Sequence, residues 1–309
     1  WVMYADLIKA FDSIHHELLF RILEKFGIPL SLIKVIRKLY HNFKIEICVG
    51  KNKAEIDYAA GVKQGDNLAP ILFIIVIQFL AELLENKWSQ YGIKRAEFCQ
   101  SSNLCNKGGS LIRQSSKHSY LTKDSLFLFL YVDDGAFVFN NKKDLESGSL
   151  IAFTQMKRLG LNMHIGIGNK SSKTEAMYIP SRSVIRSWIN DHEKHLLSQS
   201  NLPVLDPLAK KKRKPSFKQM SHIIEKYYDR SSKTKKYFLE DHGFISFTKL
   251  FKYLGSWISF DLSDEFDIEE RIKSANKAMG ALRFYWKSQK VDLHSKYLIY
   301  QAIPINLLL

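Results

Sequence analysis

Three short segments hold residue types suited to metal-assisted phosphoryl chemistry. Tyr131-Val132-Asp133-Asp134 sets two adjacent carboxylates between the apolar runs 126–132 and 136–139. Ionised aspartates at the end of a buried strand are costly unless something compensates their charge. Mg²⁺, which takes hard oxygen ligands, compensates well. Asp133-Asp134-Gly135 is also good turn chemistry, and on this tetrad alone a plain turn is the stronger reading. Asp6 closes the apolar stretch Val2-Met3-Tyr4-Ala5. A lone aspartate there is ordinarily a cap or turn residue. It gains meaning beside the first pair, because two-metal phosphoryl transfer draws carboxylates from separate strands to hold ions roughly 3.5–4 Å apart. The third segment, Gly61-Val62-Lys63-Gln64-Gly65-Asp66-Asn67-Leu68-Ala69-Pro70, leads from a strand into an apolar helix. Its two glycines let the backbone pass close to a ligand, and Gln64 offers amide contacts. Pro70 fits the first turn of a helix. The same segment reads equally as a helix start capped by Asp66 or Asn67.

These segments need elements to position them. Residues 1–8 read as a short buried strand ending in Asp6. Apolar spacing predicts helices over about 15–26, closed by Gly27 and Pro29, and over about 30–41. Alternation over 43–50 predicts a strand, with 55–63 as its hairpin partner after Gly50-Lys51-Asn52-Lys53. The apolar stretch over about 68–88 contains Pro70, Gln78 and Glu82. Its uninterrupted part is shorter than the roughly 20 residues of a membrane span, so it reads as a buried helix with no membrane role. Residues 100–120, rich in Ser, Asn, Gly and Lys, read as a loop. A hairpin turning at Asp133-Asp134-Gly135 follows, then a helix over about 143–159 ending at Gly160 and a strand over about 173–179. Residues 181–246 turn polar and basic, with the run Lys210-Lys211-Lys212-Arg213-Lys214, and read as a partly disordered insertion. A strand pair near 247–259 and helices over roughly 264–288 and 292–303 complete the order. That order is α+β, an antiparallel sheet with helices on one face.

The 309 residues are 46% hydrophobic, enough to bury a real core. Lys and Arg total 46 against 31 Asp and Glu, a net charge of +15 that favours a polyanionic partner, usually nucleic acid, sometimes an acidic membrane surface. Three cysteines, Cys48, Cys99 and Cys105, make no disulfide framework and suit a reducing, intracellular compartment. The chain opens at Trp1 and closes on Ile305-Asn306-Leu307-Leu308-Leu309, so a piece of a longer polypeptide is expected.

Taken in order, the segments resemble the palm motifs of reverse transcriptases. Tyr4-Ala5-Asp6 with Phe11-Asp12 resembles the first motif, Gln64-Gly65 through Pro70 the second, and Tyr131-Val132-Asp133-Asp134 the third. Gly160-Leu161-Asn162 through Asn169, Lys173, Thr174 and Glu175 resembles the fourth. Phe251-Lys252-Tyr253-Leu254-Gly255 resembles the fifth, and both look most like those of non-LTR (LINE-type) retrotransposons. The resemblance covers about 1–180 and 247–300. It implies a polymerase palm with partial fingers over 1–180, the basic insertion over 181–246, a primer-grip hairpin over 247–260 and the start of a helical thumb over 261–309.

The resemblance also implies roles. Asp6, Asp133 and Asp134 would hold two Mg²⁺ ions, with Mn²⁺ as the alternative, Asp134 in support. Phe11 would pack under the sugar and exclude a 2′-hydroxyl; its bland reading is a core phenylalanine. Gln64 and Gly65 would contact the incoming nucleotide or template. Lys173, with Lys170 as rival, would protonate pyrophosphate. Tyr253, Leu254 and Gly255 would place the primer end. The helix 269–287, with Arg271, Lys273, Lys277, Arg283 and Lys287, would track the duplex, or be a solvated face.

Expected partners are an RNA template, a DNA primer and deoxynucleoside triphosphates. The expected reaction is RNA-directed addition of deoxynucleotides to a primer 3′-hydroxyl. Only five residues precede Asp6, where the family carries a basic fingers segment, so a non-catalytic nucleic-acid-binding remnant is the rival. An RNA-templated RNA polymerase or telomerase-like enzyme shares the palm. Lys210–Lys214 resembles a short nuclear-import signal.

Overall fold

A computed structural model describes residues 1–41, 44–57, 60–63, 65–101, 104–107, 110–113, 121–199, 224, 226–228 and 236–308. The chain divides into two compact units. One comprises Trp1–Ala176 with Thr234–Phe247, and the other Met177–Lys233 with Thr248–Leu309.

The first unit is built on a six-stranded sheet. Its spatial order is Lys236–Phe238, Phe244–Phe247, Glu175–Met177, Val2–Ala5, Asp134–Val138, Leu128–Tyr131. Most neighbours with a defined register are antiparallel, but Phe244–Phe247 runs parallel to Glu175–Met177. The expected purely antiparallel sheet is corrected to a mixed one. All four residues of Val2–Ala5 are buried, so the centre of the sheet is covered on both faces rather than one.

Helix Ala69–Gln90 is long and apolar enough to cross a membrane by length and composition. Here Leu72, Phe73, Val76, Leu80, Leu84 and Trp88 are buried in the core, beside Phe137 and Phe139 of the sheet and Leu145, Ala152 and Met156 of helix Lys142–Arg158. Trp88 is the hub. Its ring meets Phe127, Phe137 and Phe139 edge-on, and its indole N–H donates to Gly148 O at 3.1 Å, so its one polar group is satisfied.

The structure moves several expected boundaries. Strand Lys44–Val49 pairs with Asn52–Asp57, earlier than the expected 55–63. The two-residue turn Gly50-Lys51 suffices, because Gly50 takes φ 64° at the first turn position, as a type II′ turn requires. Residues expected as a loop over 100–120 contribute to ladders: Ala96–Ser101 pairs with Leu121–Leu126, and Leu104–Lys107 with Ser110–Arg113. Ladder bonds are made by the backbone, so a polar composition does not forbid them. The end of the expected insertion belongs to the sheet. Tyr237, Leu239, Phe244 and Ile245 are buried there, and Tyr237 Oη lies 2.8 Å from Ser149 Oγ.

In the second unit, helix Arg182–Gln199 buries Trp188, which stacks on Tyr227. Tyr228 packs against Tyr178 and Phe260. Strands Leu250–Tyr253 and Ser256–Ser259 form a hairpin. The helix expected over 264–288 breaks at Leu282 into Glu265–Ala281 and Arg283–Lys287. Leu293–Tyr300 follows, then a π-helical turn Gln301–Ile305 around Pro304, which has no N–H to continue an α-helical ladder.

Candidate active site

The carboxylates converge because of strand register. Ala5 faces Gly135 and Tyr4 faces Ala136, so one further step of that register brings Asp6 toward Asp134 where these two inner strands end. Asp134 faces Tyr131 across the next ladder, so the tight turn is Val132-Asp133 and Asp134 already belongs to the strand. This corrects the expected turn at Asp133-Asp134-Gly135. Val132 sits at φ 57°, a conformation a β-branched residue rarely adopts. Strain of this kind persists only where the surroundings impose it. Here the two flanking ladders do so, and the result projects Asp133 at the hairpin tip, exposed, beside half-buried Asp134.

Asp134 feels the other two charges. Burial, then the neighbouring Asp133 and Asp6 carboxylates, push the Asp134 carboxyl above its usual range. Among the described residues no cation forms an ion pair with any of the three. Nor do three His, Cys, Asp or Glu side chains close into a metal-ligand cluster among the described residues. The arrangement is a set of acceptor oxygens sharing one end of the sheet, mutually repelling and short of positive charge. That is donor chemistry suited to a hard cation.

Asp6 is held by its backbone. Its N–H donates to Thr174 Oγ1 at 3.1 Å, and its carbonyl accepts from His164 N–H at 2.8 Å. His164 in turn accepts from Thr174 N–H at its carbonyl and from Lys173 N–H at Nδ1, 3.2 Å. Thr174 is fully buried. Thr174 and His164 are thus positioning residues for Asp6; the fourth motif names Thr174 and spans His164, but the sequence assigns neither a role. Gly160 supports the same junction: at φ 81° it lets the chain pass Ser13 O, which an added Cβ would meet at 2.6 Å. Lys173 and its rival Lys170 are both exposed.

Phe11 stacks on Phe73 with ring centroids 4.2 Å apart and is half-buried against the core. Its carbonyl accepts from Val62 N–H, and Ile14 O accepts from Gly61 N–H, both at 2.7 Å. His16 Nε2 lies 2.8 Å from Gly61 O, so that nitrogen carries the proton. The second motif is therefore fastened onto the Phe11 segment, and Gly61 serves this internal docking. Gly65 takes φ 86° with open space where a Cβ would lie, so conformation, not crowding, calls for glycine. Asp66 accepts from Leu68 N–H two residues on; the helix N-cap is Leu68, which makes no side-chain cap bond, so neither Asp66 nor Asn67 occupies the cap position. Gln64 lies outside the described residues.

In the second unit, Leu254 and Gly255 form the hairpin's two-residue turn, both at positive φ (49° and 89°), the pattern of a type I′ turn. Leu254 is half-exposed at this tip. Of the expected duplex-tracking cations, Arg271 is tied to Asp267 and Lys273 to Glu270, while Lys277, Arg283 and Lys287 are exposed.

A family model described as reverse transcriptase (RNA-dependent DNA polymerase) matches residues 1–256. The chain belongs to that family. It is similar to curated proteins named as Pol polyproteins of R2 retrotransposable elements. These are 38% identical over 88 residues in Nasonia vitripennis, 33% over 104 in Popillia japonica and 32% over 88 in Drosophila melanogaster. The alignments cover 28%, 33% and 28% of this chain and 9%, 17% and 8% of those proteins, so the chain spans a small part of its relatives' length. The domain is of the non-LTR retrotransposon kind. The match contains every metal-ligand, nucleotide and primer-grip position singled out above, from Asp6 to Gly255, and stops at residue 256, before helix Glu265–Ala281 and the cations expected to track the duplex.

Proposed function

We propose that this chain carries the catalytic centre of an RNA-directed DNA polymerase, adding deoxynucleotides to a primer 3′-hydroxyl on an RNA template. The observation that carries the reading is the convergence of Asp6 with Asp133-Asp134 from separate strands onto one end of the sheet, where Asp134 feels both neighbours. Asp6 and Asp133 are the principal ligands for two Mg²⁺ ions, or Mn²⁺ in their place, and Asp134 supports them. When bound, such ions would activate the 3′-hydroxyl and stabilise the leaving pyrophosphate.

The chain's own residues do the positioning. Thr174 and His164 fix the Asp6 backbone, and the Val132 turn aims Asp133. Phe11 forms the floor beneath the sugar, and the role of contacting the incoming nucleotide or template falls to Gly65 and to Gln64, which lies outside the described residues. Lys173 donates the proton that pyrophosphate takes on leaving. The mixed sheet with its helices is the palm, carrying partial fingers. Tyr253, Leu254 and Gly255 grip the primer end, and Glu265–Ala281 begins the thumb. The +15 charge serves the phosphates of the template–primer duplex. Lys210–Lys214, outside the described residues, is the nuclear-import candidate.

Primer extension on an RNA template with Mg²⁺ tests the reading. Extension that stops in Asp133→Ala and Asp134→Ala, with duplex binding retained, is expected; unchanged extension in those variants refutes it. The lack of a closed ligand cluster among the described residues favours a second reading, a nucleic-acid-binding remnant. Salt-sensitive duplex binding by the wild-type chain, with no extension, would select it.

A further inference from the structure

The turn Leu254-Gly255 protrudes from a two-stranded hairpin, and a ribbon of two strands is marginally stable alone. What fixes its tip is a side-chain network from helix Glu265–Ala281. Tyr253 faces Ser256 across the turn, and Lys252 faces Trp257. In a hairpin closed by a two-residue turn, the pair next to the turn exchanges hydrogen bonds and the following pair does not. The N–H of Trp257 therefore points away from its partner strand. Asp267 takes it: Oδ1 accepts from Trp257 N–H at 2.8 Å. The other oxygen, Oδ2, accepts from Arg271 Nε at 2.7 Å, one turn along the helix. Arg271 then reaches back, and its Nη2 donates to Ser256 Oγ at 2.7 Å.

The two residues that follow the tip are thus bonded to one ion pair on one helix. That pair is largely shielded, with side-chain exposures of 27% for Arg271 and 17% for Asp267. Phe266 meets the Trp257 ring edge-on at 5.2 Å. An exposed i,i+4 pair on a helix contributes little to stability. This one differs because each partner is also committed to the hairpin.

We propose that Asp267 and Arg271 are positioning residues for the primer terminus: they lock the hairpin's angle to the helix and so hold the Leu254 tip where the 3′-end is gripped. The proposal rests on the polymerase reading and concerns residues beyond the stretch matched to the family. Both side chains act through the hairpin, because Arg271, expected to track the duplex, is committed to Asp267 and Ser256. Loss of the lock leaves duplex binding, which many phosphate contacts share, and degrades alignment of the 3′-hydroxyl, on which rate depends steeply.

The test uses the whole 309-residue chain. Hydrogen exchange at the Trp257 amide reads the lock directly. Asp267→Ala is expected to abolish that amide's protection, and Asp267→Asn, which keeps an acceptor oxygen, to retain it. In single-nucleotide extension, Asp267→Ala and Arg271→Ala are expected to lower kcat roughly 10- to 100-fold, the range of a small misplacement of reacting groups. The Kd for the duplex and the circular-dichroism melting curve should hold, and Asp267→Asn, whose amide N–H₂ cannot accept from Arg271 Nε, should match Arg271→Ala in rate while keeping the Trp257 amide protected. An unchanged kcat, or a fall in kcat matched by equal losses in duplex affinity and melting temperature, overturns the proposal. A wild-type chain that extends no primer refutes the polymerase reading instead, and the exchange measurement still decides whether the lock exists.

Discussion

Replacing Asp134 by Asn should stabilise the metal-free protein while abolishing activity. Asp134 lies beside two like charges without a cation in ion-pair reach among the described residues, and it is half-buried. Residues directly opposite on antiparallel strands have Cβ atoms about 5 Å apart. Two unit charges near 6 Å repel by about 0.7 kcal/mol in water and about 3 kcal/mol at an effective dielectric constant of 20. Asp133 is exposed and salt screens it, so the lower end applies, and the two neighbours together cost about 1–2 kcal/mol at low ionic strength.

The sign follows from the direction of the shift. The unfolded carboxyl titrates near 3.8, and the folded one higher. Below the unfolded pKa both states are protonated and the variant gains nothing. As pH rises through the folded pKa the native state is forced to ionise at a cost, so the variant's advantage grows and then levels off. In EDTA at pH 7, thermal unfolding of Asp134→Asn should rise by about 2–4 °C per kcal/mol relieved, for a cooperative unit of this size. Millimolar Mg²⁺ should reverse the ranking, because only the wild type then binds the ion well and gains from it. An Asp134→Asn variant that melts at or below the wild-type temperature in EDTA across pH 5–8 would refute the claim of unrelieved repulsion.

Other substitutions probe the supports of the site. Thr174→Val removes the acceptor for Asp6 N–H and leaves a buried donor unpaired; urea unfolding should show a loss of about 1–3 kcal/mol, and extension should slow. Gly160→Ala forces a Cβ against Ser13 O at a positive φ and should cost about 1–3 kcal/mol by the same measurement. Tyr237→Phe loses one side of its bond with Ser149, whose hydroxyl still donates to Leu145 O, so only about 0.5–1.5 kcal/mol should be lost. If Phe11 excludes the 2′-hydroxyl, Phe11→Val should admit ribonucleotides in a primer-extension competition, and unchanged selectivity would leave Phe11 a core residue stacked on Phe73.

How much of this was legible in the sequence depends on range. Asp6, Asp133 and Asp134 could be grouped because their order and flanking apolar strands imply a common end of the sheet. Helices 16–25, 30–40 and 69–90 followed from apolar spacing, which is local. What stayed hidden is set by contacts distant in sequence. Thr174 bonds Asp6 across 168 positions, and Tyr237 bonds Ser149 across 88, with no local pattern announcing either. The strands within 96–126 were missed because Ser, Asn and Lys in a ribbon leave no alternation to read. Phe244–Phe247 joined the sheet in parallel, a pairing no turn motif could reveal.

The central claim is that Asp6, Asp133 and Asp134 hold the catalytic ions. Electron paramagnetic resonance titration with Mn²⁺, on the chain bound to an RNA–DNA template–primer and a non-hydrolysable deoxynucleotide analogue, measures it most directly. Two bound Mn²⁺ per wild-type chain are expected, with loss of both or weakened binding in Asp6→Asn and Asp133→Asn. Equal Mn²⁺ stoichiometry and affinity in the wild type and both variants would contradict it.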